Sequence, residues 1–384
     1  SAQQPSTLCR RFVCFSLSLS LWLGLCLPVC AKESSGPLSL SPITLEGYPL
    51  YEQEERSARA YIVMEASTGR ILMGKNIHQR LPQASTTKIM SAMMVLEQPN
   101  LDEYFEVDAQ AIHVEGSSMG LAEGDLVSLY ALACGMMLPS GNDAANAAGV
   151  RLYGSVPGFV DAMNRCAQEL HLENTHYVTA CGLDAPNHYS SAFDLAKLCR
   201  IALQNPLFSE ICCQTQMKVR FGSVPYDRWL KNYNRLLQLY PDCIGVKTGF
   251  TDDAGRCLVS AAQRDEMTLI CVTLNAQDDW NLHASLYEQC FQAYRLEPLP
   301  SCPTKIPLAG GNLSESGTEA ELTLVPAWSA KLPLKSGEAD RLKSCVLAQP
   351  FCYFPPEPNR VYAQALYLLD GQPLCTVPLV AALP

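Results

Sequence analysis

The chain has 384 residues, 48% of them hydrophobic and 17% charged, with 28 basic against 38 acidic side chains and a net charge of −10. That much apolar material fills the cores of two or three domains of about 150 residues each and excludes a disordered chain. The acidic balance argues against a nucleic-acid binder, which needs basic patches.

Residues 1–31 differ from the rest. Arg10-Arg11 precede an apolar run from Phe12 to about Leu27, and Val29-Cys30-Ala31 places small residues at −3 and −1 of a cleavage point. This pattern predicts a secretory signal peptide cut after Ala31, with an uncleaved membrane anchor as the alternative. Leu27-Pro28-Val29-Cys30 is a poor lipoprotein site, because small residues normally precede such a cysteine. Residues 32–48, rich in Ser, Pro and Gly, read as a leader.

Ala60–Glu65 reads as a strand, Ala66-Ser67-Thr68-Gly69 as a turn and Arg70–Gly74 as the returning strand. Pro82 then announces a helix carrying Ser85-Thr86-Thr87-Lys88 and the apolar run Ile89–Leu96. On a helix, residues three apart share a face, so the Lys88 amine reaches the Ser85 hydroxyl. Serine becomes a nucleophile only when a neighbouring base takes its proton, and a lysine is such a base only when neutral. The competing reading is a capping serine beside a solvated lysine, and S-x-x-K alone does not decide between them.

Leu101–Val127 is irregular, with turn signals at Glu115-Gly116-Ser117-Ser118 and Glu123-Gly124-Asp125. Ser128 caps a helix with core positions Leu129, Leu132, Met136 and Met137, which stops at Pro139-Ser140-Gly141-Asn142. Small-residue helix follows over Asp143–Ala148, then helices over Phe159–Leu170 and Ala192–Leu203, with a loop at Cys181–His188 between the last two. Next come Tyr233–Leu237, the strand Gly245–Thr251 with Lys247-Thr248-Gly249, alternating strands at Arg256–Ala261 and Met267–Leu274, and a helix over Trp280–Tyr294. From about residue 298 helical patterning stops. Short alternating stretches, such as Glu321–Val325, Val361–Leu368 and Leu374–Leu379, read as a small all-β domain with a turn at Asp370-Gly371.

The six histidines show no metal-ligand spacing, so no metal and no cofactor are expected. Four of the 18 cysteines fall within residues 1–31. The other 14 are scattered through patterned elements and contain no C-x-x-C, which predicts mostly free, buried thiols.

Three motifs occur in order: Ser85-x-x-Lys88, Ser140-Gly141-Asn142 and Lys247-Thr248-Gly249. Each is weak alone; together they are specific. The chain resembles the D-alanyl-D-alanine carboxypeptidases, the low-molecular-mass penicillin-binding serine peptidases of bacterial cell walls, from about Ala60 onward. The resemblance implies an α+β fold of the β-lactamase/transpeptidase kind. An antiparallel sheet flanked by helices, with a helical subdomain, would occupy residues 49–297, and the small all-β domain residues 298–384. It implies that Ser85 is the nucleophile, Lys88 its base and Ser140 a proton relay to the leaving amine. Asn142 would hold the substrate amide and orient Lys88. Lys247 and Thr248 would bind the terminal carboxylate, Gly249 would let substrate lie along its strand, and the N–H groups of Ser85 and Phe250 would form the oxyanion hole. Arg235 would add positive charge, with a surface salt bridge as its alternative reading. The implied partners are peptidoglycan stem peptides, with β-lactam antibiotics as covalent inhibitors and no nucleic acid. The implied location is the outer face of the cytoplasmic membrane or the cell wall, with peripheral membrane association or secretion as alternatives.

Two departures stand out. Cys181-Gly182-Leu183 replaces the His-Gly-Leu of many relatives, and Asn275–Trp280 lacks an arginine that some relatives carry there. A β-lactamase would need a further glutamate with a partner asparagine, and Glu169, Glu173 and Glu210 lack that partner. A non-catalytic wall-binding protein is disfavoured by the intact motif set, and a zinc carboxypeptidase by the absence of ligand spacing.

Overall fold

The computed structural model describes residues 51–300, 302, 304–309, 321–327, 331–353, 355–357 and 360–382. The expected signal peptide and leader lie outside these residues. The chain opens with the anticipated hairpin of β1 (Ala58–Glu65) and β2 (Ile71–Lys75). Its turn closes on the buried Glu65 carboxylate, which accepts from Ser67 N at 2.9 Å and Thr68 N at 2.8 Å. Gly69 adopts φ 76°, where a side chain would be strained.

Ser85 is not inside an α-helix, as the sequence suggests, but in a one-turn 3-10 helix, Ala84–Thr87, that leads into α1 (Lys88–Leu96). Ala84 enters the turn at φ 48°. A 3-10 turn eclipses residues i and i+3, so it stacks Lys88 over Ser85 more directly than an α-turn would.

The stretch expected to be irregular contains β3 (Tyr104–Glu106), which pairs with β4 (Leu126–Ser128). The helices α2 (Leu129–Met137), α3 (Asn142–Tyr153), α4 (Val156–Glu169) and α5 (Ala192–Ala202) follow. Three of their starts are local chemistry: the hydroxyls of Ser128, Ser155 and Ser191 accept from Ala131 N, Gly158 N and Asp194 N at 3.1–3.2 Å. The buried alanines Ala144, Ala145, Ala147 and Ala148 let α3 pack closely against its neighbours. Between 206 and 231, where the sequence reading places no element, the chain forms α6 (Pro206–Cys212) and the hairpin β5 (Gln216–Phe221) and β6 (Tyr226–Lys231).

After the short α7 (Leu236–Leu239) come β7 (Cys243–Thr251), β8 (Gly255–Arg264), β9 (Met267–Ala276) and α8 (Asp279–Ala293). The strands join in the order β2-β1-β9-β8-β7 as one antiparallel sheet, with β7 at its edge. Ile62, Val259 and Val272 face the helical core, while Tyr61, Leu258 and Cys271 face the α8 side. Covering both faces explains why β8 and β9 are apolar almost throughout rather than alternating as expected. A fully buried Val, Leu or Ile contributes about 1.5–3 kcal/mol.

Beyond α8 the described residues form strands and one short 3-10 turn: β10 (Tyr294–Pro298), β11 (Thr304–Ala309), β12 (Glu321–Pro326), β13 (Lys331–Lys335), β14 (Leu342–Ala348), β15 (Cys352–Tyr353), β16 (Val361–Leu369) and β17 (Gln372–Ala381). Six of them make a sheet ordered β14-β16-β17-β12-β11-β15. Asp370 and Gly371 form its expected turn with φ 52° and 81°, as a two-residue hairpin requires. The fourteen cysteines among the described residues are all free thiols, most of them buried; Cys213 and Cys345 are exposed. Burial pushes the thiols of Cys134 and Cys257 up to about 12.

The β-rich region is tied to the first hairpin. β10 pairs with β13 rather than with the six-stranded sheet. Arg70, 2% exposed, forks onto Glu338 at 2.9 and 3.1 Å, donates to Pro333 O and lies over the Tyr294 ring. Removing one partner strands the other charge in the interior. Glu338→Ala should therefore cost about 3–5 kcal/mol in urea unfolding, and Arg70→Met with Glu338→Leu should recover much of it. A single-variant loss below about 1 kcal/mol would place the pair in the weak, solvated class.

Candidate active site

The 3-10 turn, the α2–α3 turn, the 177–184 loop and β7 converge on one amine. Lys88 is fully buried. Its Nζ donates to Asn142 Oδ1 and to Cys181 O, both at 2.7 Å, and lies 2.9 Å from Ser85 Oγ and 3.5 Å from Ser140 Oγ. A neutral amine has two N–H groups and one lone pair. Asn142 Oδ1 and the Cys181 carbonyl are pure acceptors, so they take both N–H groups. The lone pair is left for the hydroxyl side, where Ser85 is nearest. Ser85 itself is partly accessible while Thr86, Thr87 and Lys88 are buried, so the hydroxyl faces solvent and the amine does not.

Asn142 is held from both ends. Its Nδ2 donates to Glu115 O at 2.7 Å and its backbone N to Ser117 O at 2.7 Å. These partners fix the amide orientation, with Oδ1 toward Lys88. Glu115 O takes one of the two amide N–H groups, so Asn142 orients Lys88 through Oδ1 and keeps a second N–H. Asp143, which the sequence reading left without a role, anchors the same loop. Its carboxylate accepts from Met119 N at 2.9 Å, Ser118 Oγ at 2.6 Å, Gly120 N at 3.2 Å and Leu121 N at 3.1 Å. Ser140 adopts φ 61°, a left-handed conformation costing about 1–3 kcal/mol for a residue with a side chain, which turns its hydroxyl toward Lys88.

Lys247 is 1% exposed on β7, and its Nζ donates to Thr248 O at 3.0 Å. Two close approaches bring backbone to Ser85. A Cβ on Gly249 would lie 3.0 Å from Ser85 N, and one on Gly182 2.0 Å from Ala84 O. Only glycine lets β7 and the 177–184 loop come this near to the turn. Thr248 is half-buried, and the Phe250 side chain is 65% exposed, leaving its backbone on the strand edge beside Gly249. Arg235 is exposed, and its guanidinium hydrogen-bonds none of these residues. Its segment nonetheless abuts the α2–α3 turn, since Tyr233 N donates to Leu138 O at 3.2 Å.

Burial lowers Lys88 from its ordinary value to about 8, while Cys181 and Asp143 act in the opposite direction. Lys247 lies well below its ordinary value, through burial first and the nearby Lys88 second. The change of histidine to Cys181 leaves the carbonyl that accepts from Lys88 in place, because every residue supplies one. A second serine–histidine pair, Ser260 Oγ to His283 Nδ1 at 2.6 Å, lies under the sheet. His283 is fully buried and burial pushes it to about 3, so it is a neutral structural link without access to substrate. No group of residues able to hold a metal occurs among the described residues.

Residues 50–278 match the family model described as D-alanyl-D-alanine carboxypeptidase. The chain is 31% identical over 250 residues to the D-alanyl-D-alanine carboxypeptidase DacF of Bacillus subtilis, covering 63% of this chain and 64% of that protein's length. It is 30% identical over 359 residues to DacC of Escherichia coli, covering 88% of this chain and 87% of that one. Its fold is similar to the crystal structure of penicillin binding protein 5 from Haemophilus influenzae, with a TM-score of 0.71 and 25% identity over 85% of this chain and 97% of that one.

The protonation of Lys88 sets a pH dependence. Only the neutral amine can take the Ser85 proton, so the rate of acylation by penicillin should rise with pH through about 8 and fall about tenfold per unit well below it. Lys88→Arg should lose about 10²–10⁴-fold, since a guanidinium cannot act as base. A flat profile from pH 6 to 9, or a near wild-type Lys88→Arg, would remove Lys88 from the role.

Proposed function

The chain belongs to the D-alanyl-D-alanine carboxypeptidase family, and on that premise we propose that Ser85 removes the terminal D-Ala from peptidoglycan stem peptides through an acyl-enzyme. The observation that carries this reading is the aim of the Lys88 lone pair at Ser85, 2.9 Å away, from a fully buried amine.

The substrate is a peptide amide ending in a free carboxylate. Lys247, an ammonium with one carbonyl partner, binds that carboxylate together with the Thr248 hydroxyl. Carboxylate binding favours the charged form of Lys247 and so opposes the depression of its pKa. Arg235 adds positive charge at the rim. As the Ser85 oxygen attacks the penultimate carbonyl, its proton passes to Lys88. The carbonyl oxygen becomes an anion and receives the N–H groups of Ser85 and Phe250, which the close approach of Gly249 brings together. The leaving amine takes a proton through the Ser140 hydroxyl, which both donates and accepts. D-Ala departs and water hydrolyses the ester. Nothing in this sequence needs a metal or an organic cofactor.

β-Lactams enter the same site and acylate Ser85. Their leaving group stays tethered by the ring and blocks the water, so the adduct persists. The reading extends to domain use: residues 49–297 carry the chemistry and 298–384 act as an appended β domain. We also place the protein in the exported class, with residues 1–31 as signal, acting at the outer face of the cytoplasmic membrane or the cell wall. No helix among the described residues is long and apolar enough to cross a membrane.

One preparation tests the reading. Intact mass after penicillin should show a single adduct that Ser85→Ala abolishes. A pentapeptide ending D-Ala-D-Ala should release D-Ala repeatedly, while penicilloic acid appears far more slowly. Rapid β-lactam turnover without D-Ala release would make the protein a β-lactamase, and an adduct surviving Ser85→Ala would move the nucleophile elsewhere.

A further inference from the structure

One of the two residues between Ser85 and Lys88 is held from 101 positions away. His188 is 5% exposed, and its Nε2 lies 2.8 Å from the hydroxyl of Thr87, itself fully buried. The other ring nitrogen settles the tautomer. Val178 N donates to His188 Nδ1 at 2.9 Å, with Thr179 N at 3.4 Å behind it. A nitrogen that accepts from N–H carries no proton, so Nδ1 is bare and Nε2 holds the hydrogen. The ring is therefore neutral and donates to Thr87 Oγ1. One side chain thus joins the S-x-x-K turn to the start of the 178–182 loop.

That loop supplies the acceptors that organise α1. Ala180 O takes Ser91 Oγ at 2.6 Å, and Cys181 O takes Lys88 Nζ at 2.7 Å. Gly182 presses against Ala84 O and Ser85 N. Gly182 N in turn donates to Thr179 Oγ1 at 3.0 Å, closing the loop on itself. If the loop shifts, Lys88 loses one of the two acceptors that direct its lone pair, and water reaches a group whose altered pKa rests mainly on burial. Besides Lys88 itself, His188 is the side chain among the described residues that bonds to both the loop and the turn.

We propose that His188 is a positioning residue for the reaction: by bridging Val178 N–H and Thr87 Oγ1 it holds the Cys181 carbonyl on Lys88 and so aims the lysine lone pair at Ser85. His188 touches no substrate and acts through the loop. The proposal rests on the assignment of Lys88 as the base.

The test is acylation of the full-length protein by a fluorescent penicillin, followed from pH 6 to 10 so that the rate constant and the non-covalent binding constant are separated. His188→Leu keeps bulk and removes both bonds. Thr87→Val keeps shape and removes the acceptor. Each should slow acylation about ten- to a hundredfold with binding unchanged within about twofold, as expected for a misaimed group. Each should also move the midpoint of the pH profile upward, because a loosened loop rehydrates Lys88; the charged or titratable groups around that amine are Lys247, Asp143 and Cys181. His188→Gln, whose amide can still donate to Thr87, should recover part of the rate. The double variant should be no slower than the slower single one. A midpoint unmoved in both singles, or fully additive losses, overturns the proposal. If His188→Leu does not fold, Thr87→Val alone carries the same two criteria. Should acylation be absent even in Lys88-intact wild type, or Lys88→Arg be active, the underlying reading fails instead, and the two failures are distinguishable.

Discussion

An amine that must be neutral near pH 8 has to be taken out of water, and an amine out of water must be given acceptors. On the proposed reading of Lys88 as base, that requirement organises the part of the molecule built on the five-stranded sheet and its helices. The helix that carries Lys88 does not supply the two acceptors its amine takes. The acceptors come from two other places, Asn142 at the start of α3 and Cys181 on a loop, while the Ser85 hydroxyl one turn back meets the lone pair. Each must be rigid, since an acceptor that drifts leaves a buried polar group unpaired at about 1–3 kcal/mol. Hence the second tier of bonds: Glu115 O and Ser117 O on Asn142, the four donors that converge on Asp143 from residues 118–121, and His188 across to Thr87.

The strain in the site follows from the same demand. Ala84 and Ser140 have left-handed backbone without being glycine. Both lie where a hydroxyl must face an amine from an angle that a relaxed helix cap would not give. The surroundings over-determine them: Gly182 and Gly249 close on the Ala84–Ser85 peptide from two directions, and Gly141 N is pinned to Gly135 O at 2.8 Å. Stability is spent on pre-organisation, and a sheet apolar on both faces supplies it.

What the sequence disclosed was what is local. Ser128 announces its helix within four residues, Asp370-Gly371 announces its turn, and the three motifs each occupy three or four consecutive positions. The site was legible because its chemistry is concentrated in those short words. The contacts that set the chemistry were not. The link from His188 to Thr87 spans 101 residues, and the donors to Asp143 come from 22–25 residues away. No periodicity encodes such pairings. The hairpin at 216–231 is a different case: Met217, Val219 and Phe221 do alternate, but Lys218, Arg220 and Asp227 make its outer face so polar that it resembles a loop. Arg235 stays at the rim because the segment that carries it is placed by a backbone bond from Tyr233, not by its own charge.

The thiols carry a consequence of their own. In the unfolded chain every cysteine is an ordinary, reactive group. Among the described cysteines of the folded chain Cys213 and Cys345 are exposed and Cys243 is half-buried, while the others are buried, and burial pushes the thiols of Cys134, Cys257 and Cys290 up to about 12. Reactivity toward a thiol reagent is then a measure of opening, residue by residue. Cys181 reads the catalytic loop, Cys271 the central sheet and Cys375 the β-rich region. The molecule carries an internal set of labels that separates local breathing at the site from loss of either core.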